Sequence, residues 1–194
     1  MRKIIFIFII GLALSCNNAS HDNRQSQNVT QVTGDITLAA QKSQIDSAIA
    51  QNNLNAECYF SDSGKYTIGN CQRQEYSAMW RIWKNSSDKI VSAKNEYSSQ
   101  SMDIFVQEMF YYNSNEQLFC RDQSVSFLNT LCSEKGIIHH KTYYFKNGVV
   151  TDSSSSLYDS DNKTYSIDSC LIPYSVNVQI PFSVSSLQST LKNN

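Results

Sequence analysis

The chain has 194 residues, of which 41% are hydrophobic and 17% are charged. This length fits one domain. The composition is too apolar for a fully disordered chain and, at a mean hydropathy of −0.38, too polar for a protein with several membrane spans. The net charge of −1 becomes −3 when Arg2 and Lys3 leave with an export signal. Nucleic acid and anionic lipid surfaces, which attract basic proteins, are therefore disfavoured as partners.

The N-terminus carries the pattern of an export signal. Met1-Arg2-Lys3 supplies positive charge, and an apolar run of 11 residues follows from Ile4 to Leu14. A helix that spans a bilayer needs about 20 apolar residues, so this run is too short. We therefore predict a signal peptide over residues 1–15 that is removed on export.

The end of this signal resembles the lipobox of bacterial lipoproteins. Ala13-Leu14-Ser15-Cys16 has an apolar or small residue, a variable one and a small one before the cysteine. The resemblance covers residues 1–16 only and implies lipidation of Cys16, with two or three acyl chains that anchor the protein to a membrane. It places the protein in the cell envelope, and in the outer membrane if the host is Gram-negative. There are two alternatives. One is an ordinary cleaved signal that leaves Cys16 as a thiol, and the other is an N-terminal membrane anchor.

Residues 16–34 are predicted to form the lipidated cysteine and a flexible tether, and residues 35–194 a single domain. The tether consists mostly of Asn, Ser, Gln and Thr and cannot bury enough apolar surface to offset its conformational entropy. A sorting or export tag is the alternative for this segment. The domain should begin with an amphipathic helix capped by Asp35, whose apolar face carries Leu38, Ile45, Ala48 and Ile49.

After the helix every second residue tends to be hydrophobic, and aromatic residues are frequent. Both features are typical of strands. Three hairpins are predicted: residues 76–83 with 89–94, residues 102–112 with 117–127, and residues 137–145 with 149–154. Asn147-Gly148 is the strongest turn signal, because both residues tolerate positive φ. The serines at 153–156 are assigned to a strand end or a loop.

Three further elements complete the prediction. Residues 57–60 and 66–69 form another hairpin, residues 174–180 alternate as an edge strand between Pro173 and Pro181, and Val184, Leu187 and Leu191 follow helical spacing. The fold class is α+β, a curved antiparallel meander of hairpins with one N-terminal amphipathic helix packed on it.

Five cysteines remain after Cys16, and an exported protein is expected to pair them. Five cysteines can form two disulfides in 15 ways, and the close spacings favour bonds between Cys58 and Cys71 and between Cys120 and Cys132. Cys170 would then be left over, as a buried inert residue or a reactive thiol.

No cofactor or metal is predicted. His139 and His140 are adjacent in a strand and point to opposite faces, so they cannot share one ion. Residues 159–162 begin like a calcium loop, but Thr164 stands where glycine is needed, which favours a solvated acidic turn. Catalytic motifs are absent from the sequence, although Glu108 could meet Asp103 or Asp122 across a sheet.

Three functions are compatible with these features. The first is a non-enzymatic envelope lipoprotein that binds a protein partner, in the manner of an inhibitor or immunity protein, through aromatic residues that one sheet face cannot bury. The alternative is an envelope hydrolase with its site on the concave face of the sheet. The third is a structural spacer. Convergent acids or a histidine with a perturbed pKa in a pocket would favour the hydrolase.

Overall fold

The described part of the chain forms an open antiparallel sheet with a helix on each face. This computed structural model describes residues 37–61, 65–72, 76–99, 103–128, 132–166, 170 and 179–193. In chain order the elements are α1 (Leu38–Ala50), β1 (Asn55–Ser61), β2 (Tyr66–Gly69), β3 (Ala78–Lys84), β4 (Ile90–Ser98), β5 (Ile104–Tyr112), β6 (Leu118–Phe127), β7 (Ile137–Lys146), β8 (Val149–Tyr158) and α2 (Val184–Asn193). The predicted α+β class and antiparallel meander are confirmed.

The strand order in the sheet is β2-β1-β3-β4-β5-β6-β7-β8. All four predicted hairpins form, and β1 pairs with both β2 and β3, so that β2 becomes one outer strand. The serines at 153–156 lie within β8, the other outer strand, and not at a strand end or in a loop. The predicted edge strand over residues 174–180 falls almost entirely outside the described residues.

Three turns share one geometry that the sequence analysis did not identify. The side-chain oxygen of Asn85, Asn113 or Asp159 accepts hydrogen bonds from the backbone N–H groups two and four residues later, at 2.9–3.1 Å. The residue three positions later has positive φ in each case. This is an Asx turn in which a short polar side chain replaces a backbone acceptor.

One face of the sheet, the α2 face, holds the larger apolar cluster. Trp80, Phe110 and Leu118 pack there against Val184 and Leu187 of α2. A second group on the same face lies at the far end of the sheet and joins Ile137, Leu157 and Cys170. The helix predicted from Val184, Leu187 and Leu191 is therefore confirmed.

The opposite face, the α1 face, is covered in part by the N-terminal helix. Leu38 and Ile45 of α1 pack against Tyr111, Phe119 and Cys120. The N-cap is Thr37, whose Oγ1 accepts the N–H of Ala40 at 3.2 Å. Asp35, which the sequence suggested as the cap, lies outside the described residues.

The described aromatic residues of β5 do not form the expected surface of surplus aromatics. Phe110, Tyr111 and Tyr112 are at most 2% exposed, and Phe105, on the same strand, is 38% exposed. The two helices cover opposite faces, so aromatics on both faces of β5 are buried.

The structure forms the predicted disulfide between Cys58 and Cys71 but bonds Cys132 to Cys170. The predicted bond between Cys120 and Cys132 is wrong, and Cys120 is free and buried. Cys120 lies near the start of β6 and packs on the α1 face, whereas Cys132 follows the far end of this strand and packs beside Ile137 and Leu157 on the α2 face. The two cysteines therefore do not meet, and a disulfide needs Cα atoms within about 7 Å of each other. Two disulfides indicate an extracytoplasmic protein.

Candidate functional site

The carboxylate pairs suggested by the sequence do not form. Glu108 lies on the α2 face, because it is two residues before Phe110 on β5. Asp122 lies on the α1 face, where it accepts from Lys42 at 2.8 Å. Asp103 precedes β5 and is five residues from Glu108, about 17 Å along an extended chain. The three acids therefore do not converge.

Glu108 belongs instead to a polar row that crosses the α2 face. The strand register places Asn95, Glu108, Gln123, Lys141 and Ser155 side by side from β4 to β8. A sequence pattern could not reveal this row, since each strand contributes one residue and the alignment depends on the register of four strand pairs.

Glu108 is fully buried and is held by an ion pair. Its Oε1 accepts hydrogen bonds from Arg121 Nε at 3.1 Å, from Arg121 Nη2 and from Gln123 Nε2 at 3.0 Å. The guanidinium of Arg121 also lies over the ring of Tyr143. Moving the two charged groups out of water costs free energy. The hydrogen bonds that Glu108 accepts from Arg121 and Gln123 offset that cost.

Three other polar atoms in this region are buried. Within the described part of the chain, Glu108 Oε2, Asn95 Oδ1 and Tyr97 Oη have no hydrogen-bond partner. Burial, and secondarily the negative charge of Glu108, raises the pKa of Tyr97. Tyr97 therefore stays protonated as a hydroxyl.

His139 and His140 point to opposite faces, as predicted. On the α2 face His139 Nε2 is 2.9 Å from Ser155 Oγ, and on the α1 face His140 Nε2 is 3.9 Å from Asp122 Oδ1. Burial, together with the positive charges of Lys141 and His140, lowers the pKa of His139 from its usual 6.5. The imidazole is consequently neutral at neutral pH and able to accept a proton from Ser155.

The free cysteine sits among charged groups on the α1 face. Lys42 binds Asp46 at 2.7 Å as well as Asp122, and the Tyr111 hydroxyl donates to Asp46 at 2.7 Å. Burial, and secondarily the charge of Asp122, raises the pKa of Cys120 to about 12. The thiol is therefore protonated and unreactive in the folded protein.

The turn at residues 159–162, predicted as a solvated acidic turn, has a buried aspartate at its first position. Asp159 is 4% exposed, and both of its carboxylate oxygens accept hydrogen bonds, one from the Asx turn and one from Tyr165 at 2.7 Å. The hydrogen bond from Tyr165 is the main reason that the pKa of Asp159 lies below its usual value. Among the residues that the structure describes, no group of three or more His, Cys, Asp or Glu side chains is placed to hold a metal ion.

A cleft of about 690 Å³ lies at the end of the sheet where α1 begins. Its described lining includes apolar Leu38, Leu118, Phe119 and Phe145, with Thr37 and Lys146. The remaining lining side chains are all carboxamides: Gln41, Asn113, Asn115, Gln117 and Asn147. Its volume is in the range of ligand sites, which are typically apolar clefts with a few polar groups.

The cleft suits recognition by neutral hydrogen bonds. A carboxamide both donates and accepts, so it matches the backbone amides of a peptide. The Oδ1 of Asn113 is already used by its turn, whereas Asn115, Gln117 and Asn147 are exposed at the rim. Among the described lining residues of this cleft there is no acid and no histidine.

The sequence analysis missed the cleft because the carboxamides come from α1 and from two turns that are distant in the chain. Among the described helices, none is long and apolar enough to cross a membrane. Comparison of the chain with models of protein families, with curated proteins and with solved structures found no match.

Proposed function

We propose that the chain is a lipid-anchored protein of the cell envelope that binds a segment of another protein in the cleft at the end of the sheet. The observation that carries this proposal is the lining of the cleft, where an apolar floor is bordered by carboxamides and a single lysine. An inhibitor or immunity protein would use such a site to hold a loop of the protein that it blocks.

The anchor is supported by the resemblance of Ala13-Leu14-Ser15-Cys16 to a lipobox and by the two disulfides, which fit export. We expect the wild-type protein to incorporate labelled palmitate and to sediment with membranes. The Cys16→Ala variant should incorporate no palmitate and should appear in the soluble fraction. Continued membrane association without label would contradict the anchor.

Shape and chemistry both favour a peptide segment as the occupant of the cleft. Leu118, Phe119 and Phe145 are at most 5% exposed and line the cleft, where an apolar side chain of the segment would contact them. Rim carboxamides can bind the backbone on either side of that side chain, and such contacts depend little on the sequence of the segment.

The test is capture of a partner with the full chain in the envelope, after mild crosslinking and with mass spectrometry as the readout. We expect one near-stoichiometric protein with wild type and loss of it with Asn115→Ala/Gln117→Ala. The matched control is Gln188→Ala, which removes an exposed carboxamide from α2. Equal capture by all three proteins would exclude the cleft as the binding site.

A second candidate is an envelope hydrolase, and one contact favours it. Ser155 Oγ lies 2.9 Å from Nε2 of His139, a histidine whose lowered pKa keeps it a proton acceptor. A hydrolase would be labelled at Ser155 by a fluorophosphonate probe, and Ser155→Ala would abolish both labelling and ester hydrolysis. Ser154→Ala, in which the removed hydroxyl lies on the other face, is the matched control.

A further inference from the structure

Within the part of the chain that the structure describes, β8 is the last strand of the sheet, and most of its side chains are exposed. All eight residues from 149 to 156 are exposed, and they include four consecutive serines at 153–156. Val149 and Val150 are 65% and 49% exposed. Proteins commonly protect such edges with lysine, proline or a covering element. Along this stretch the only charged residue is Asp152, and there is no proline.

Two hydrogen bonds show which backbone groups of β8 point away from β7. The carbonyl oxygen of Leu157 accepts from the N–H of Tyr165 at 2.9 Å, outside the β7–β8 pair. The N–H of Ser153 donates to the side chain of Asp152 at 2.8 Å. Because backbone direction alternates along an antiparallel strand, Ser155, which lies between them, also directs its N–H and C=O outward.

We propose that β8 pairs antiparallel with β8 of a second copy of this chain, about a two-fold axis at Ser154. In this register Ser153 of each copy faces Ser155 of the other, and the two residues exchange both backbone hydrogen bonds. The two sheets join into one continuous sheet. The proposal goes beyond the cleft and is independent of its occupant.

Self-complementarity selects a second copy as the occupant of the edge. Asp152 lies opposite Ser156 of the other copy, so its carboxylate meets a hydroxyl and not another acid. Ser154 lies opposite itself, and small side chains let the strands approach without steric conflict. In the single chain the N–H of Ser153 donates to the side chain of Asp152. In the pair it donates instead to the carbonyl of Ser155 of the other copy, so this N–H keeps a hydrogen bond.

The existing contact between Leu157 and Tyr165 limits the pairing to residues 152–156. That length is small compared with the roughly 1,000 Å² expected of a stable interface. The association of the two copies is therefore weak, and a covalent crosslink is the suitable way to detect it. Across the new interface residue 154 is in a non-hydrogen-bonded pair, where the two Cα atoms are about 4.5 Å apart. This distance permits a disulfide.

The experiment is oxidative crosslinking of the full chain in the cells that produce it. Ser154→Cys should give a disulfide-linked dimer on a non-reducing gel, with peptide mapping that places the bond at position 154. Ser156→Cys is the matched control, on the same strand and face. In the proposed register the two copies of position 156 are about 14 Å apart, so no dimer should form. Equal crosslinking of both variants, or none, would overturn the proposal.

A second pair of variants tests the backbone hydrogen bonds. Ser153→Pro removes the outward N–H without removing a bond to β7, and it should abolish the crosslink of Ser154→Cys. Ser153→Thr keeps the N–H and should retain the crosslink. Thermal unfolding of both variants serves as the control that each of them folds. Persistence of the crosslink with proline would show that the copies meet in another way, and would contradict the proposal.

Discussion

At the scale of single residues, the most consequential contact is the buried pair of Glu108 and Arg121. Glu108 is fully buried and its Oε1 receives three hydrogen bonds, two of them from Arg121. A carboxylate in this position without its guanidinium partner is left in a medium that solvates it poorly. The pair therefore contributes little when intact and costs much when one partner is removed.

We expect Arg121→Met to lower the free energy of unfolding by about 3–5 kcal/mol, because Glu108 then stays buried without its cation. The double variant Glu108→Gln/Arg121→Met should recover most of this loss, since the amide needs no counter-charge. Urea denaturation of both variants measures the difference. A double variant as unstable as the single one would show that packing, and not charge, accounts for the loss.

His139 should make stability depend on pH. Its pKa is lowered in the folded protein, so below about pH 6.5 the unfolded chain binds the proton first, and stability falls as the pH falls. Above pH 6.5 this contribution is fully present. His139→Gln should flatten the decline between pH 6.5 and the lower folded pKa, as measured by urea denaturation at several pH values. His140→Gln, on the opposite face, is the matched control and should retain most of the decline, because burial is the main cause of the lowered pKa of His139 and the charge of His140 is the smallest one.

At the scale of elements, the Asx turns align the central hairpins. Asn113 closes the turn between β5 and β6, and its side chain accepts the N–H groups of Asn115 and Gln117. Asn85 does the same between β3 and β4. Each turn supports the pairing of the two strands that it connects. The Asn113 turn therefore also supports the pairing of Glu108 with Gln123 in the polar row.

Asn113→Ala should lower the free energy of unfolding by about 1–2 kcal/mol, because two backbone N–H groups lose their acceptor. Asn115→Ala removes an exposed amide from the same turn and should cost no more than about 0.5 kcal/mol. Thermal and urea unfolding of the two variants provide the comparison. Equal losses would mean that the side chain of Asn113 does not support the turn.

At the scale of the whole molecule, the disulfides connect segments that the sheet brings together. The Cys58–Cys71 bond closes a separation of 13 residues and the Cys132–Cys170 bond one of 38. Loop-closure entropy alone predicts about 3 and about 4 kcal/mol of stabilisation, respectively. The second bond holds residue 170 beside Ile137 and Leu157.

Thiol titration tests this connectivity. In the native wild-type protein Cys120 should not react, because it is buried and its pKa is raised to about 12. In denaturant without reductant one thiol should react between residues 17 and 194, and Cys120→Ala should remove it. Loss of that thiol in Cys170→Ala, which would require Cys170 to be the free one, would instead support the pairing of Cys120 with Cys132.

The sequence by itself determined the antiparallel meander, the four hairpins and both helices, and it favoured the Cys58–Cys71 bond. Each of these depends on local features: alternation of apolar residues, turn residues such as Asn147-Gly148, helical spacing, and cysteines close in the chain. Local patterns specify elements because propensity and turn chemistry act over a few residues.

The tertiary structure alone decided which residues meet across the sheet. It assembled the polar row from five strands, placed Glu108 and Asp122 on opposite faces, paired Cys132 with Cys170, and buried the aromatics on both faces of β5. It also brought carboxamides of α1 and two distant turns around one cleft. These outcomes depend on strand register and on where the helices dock, since a shift of one residue would move every side chain of a strand to the other face.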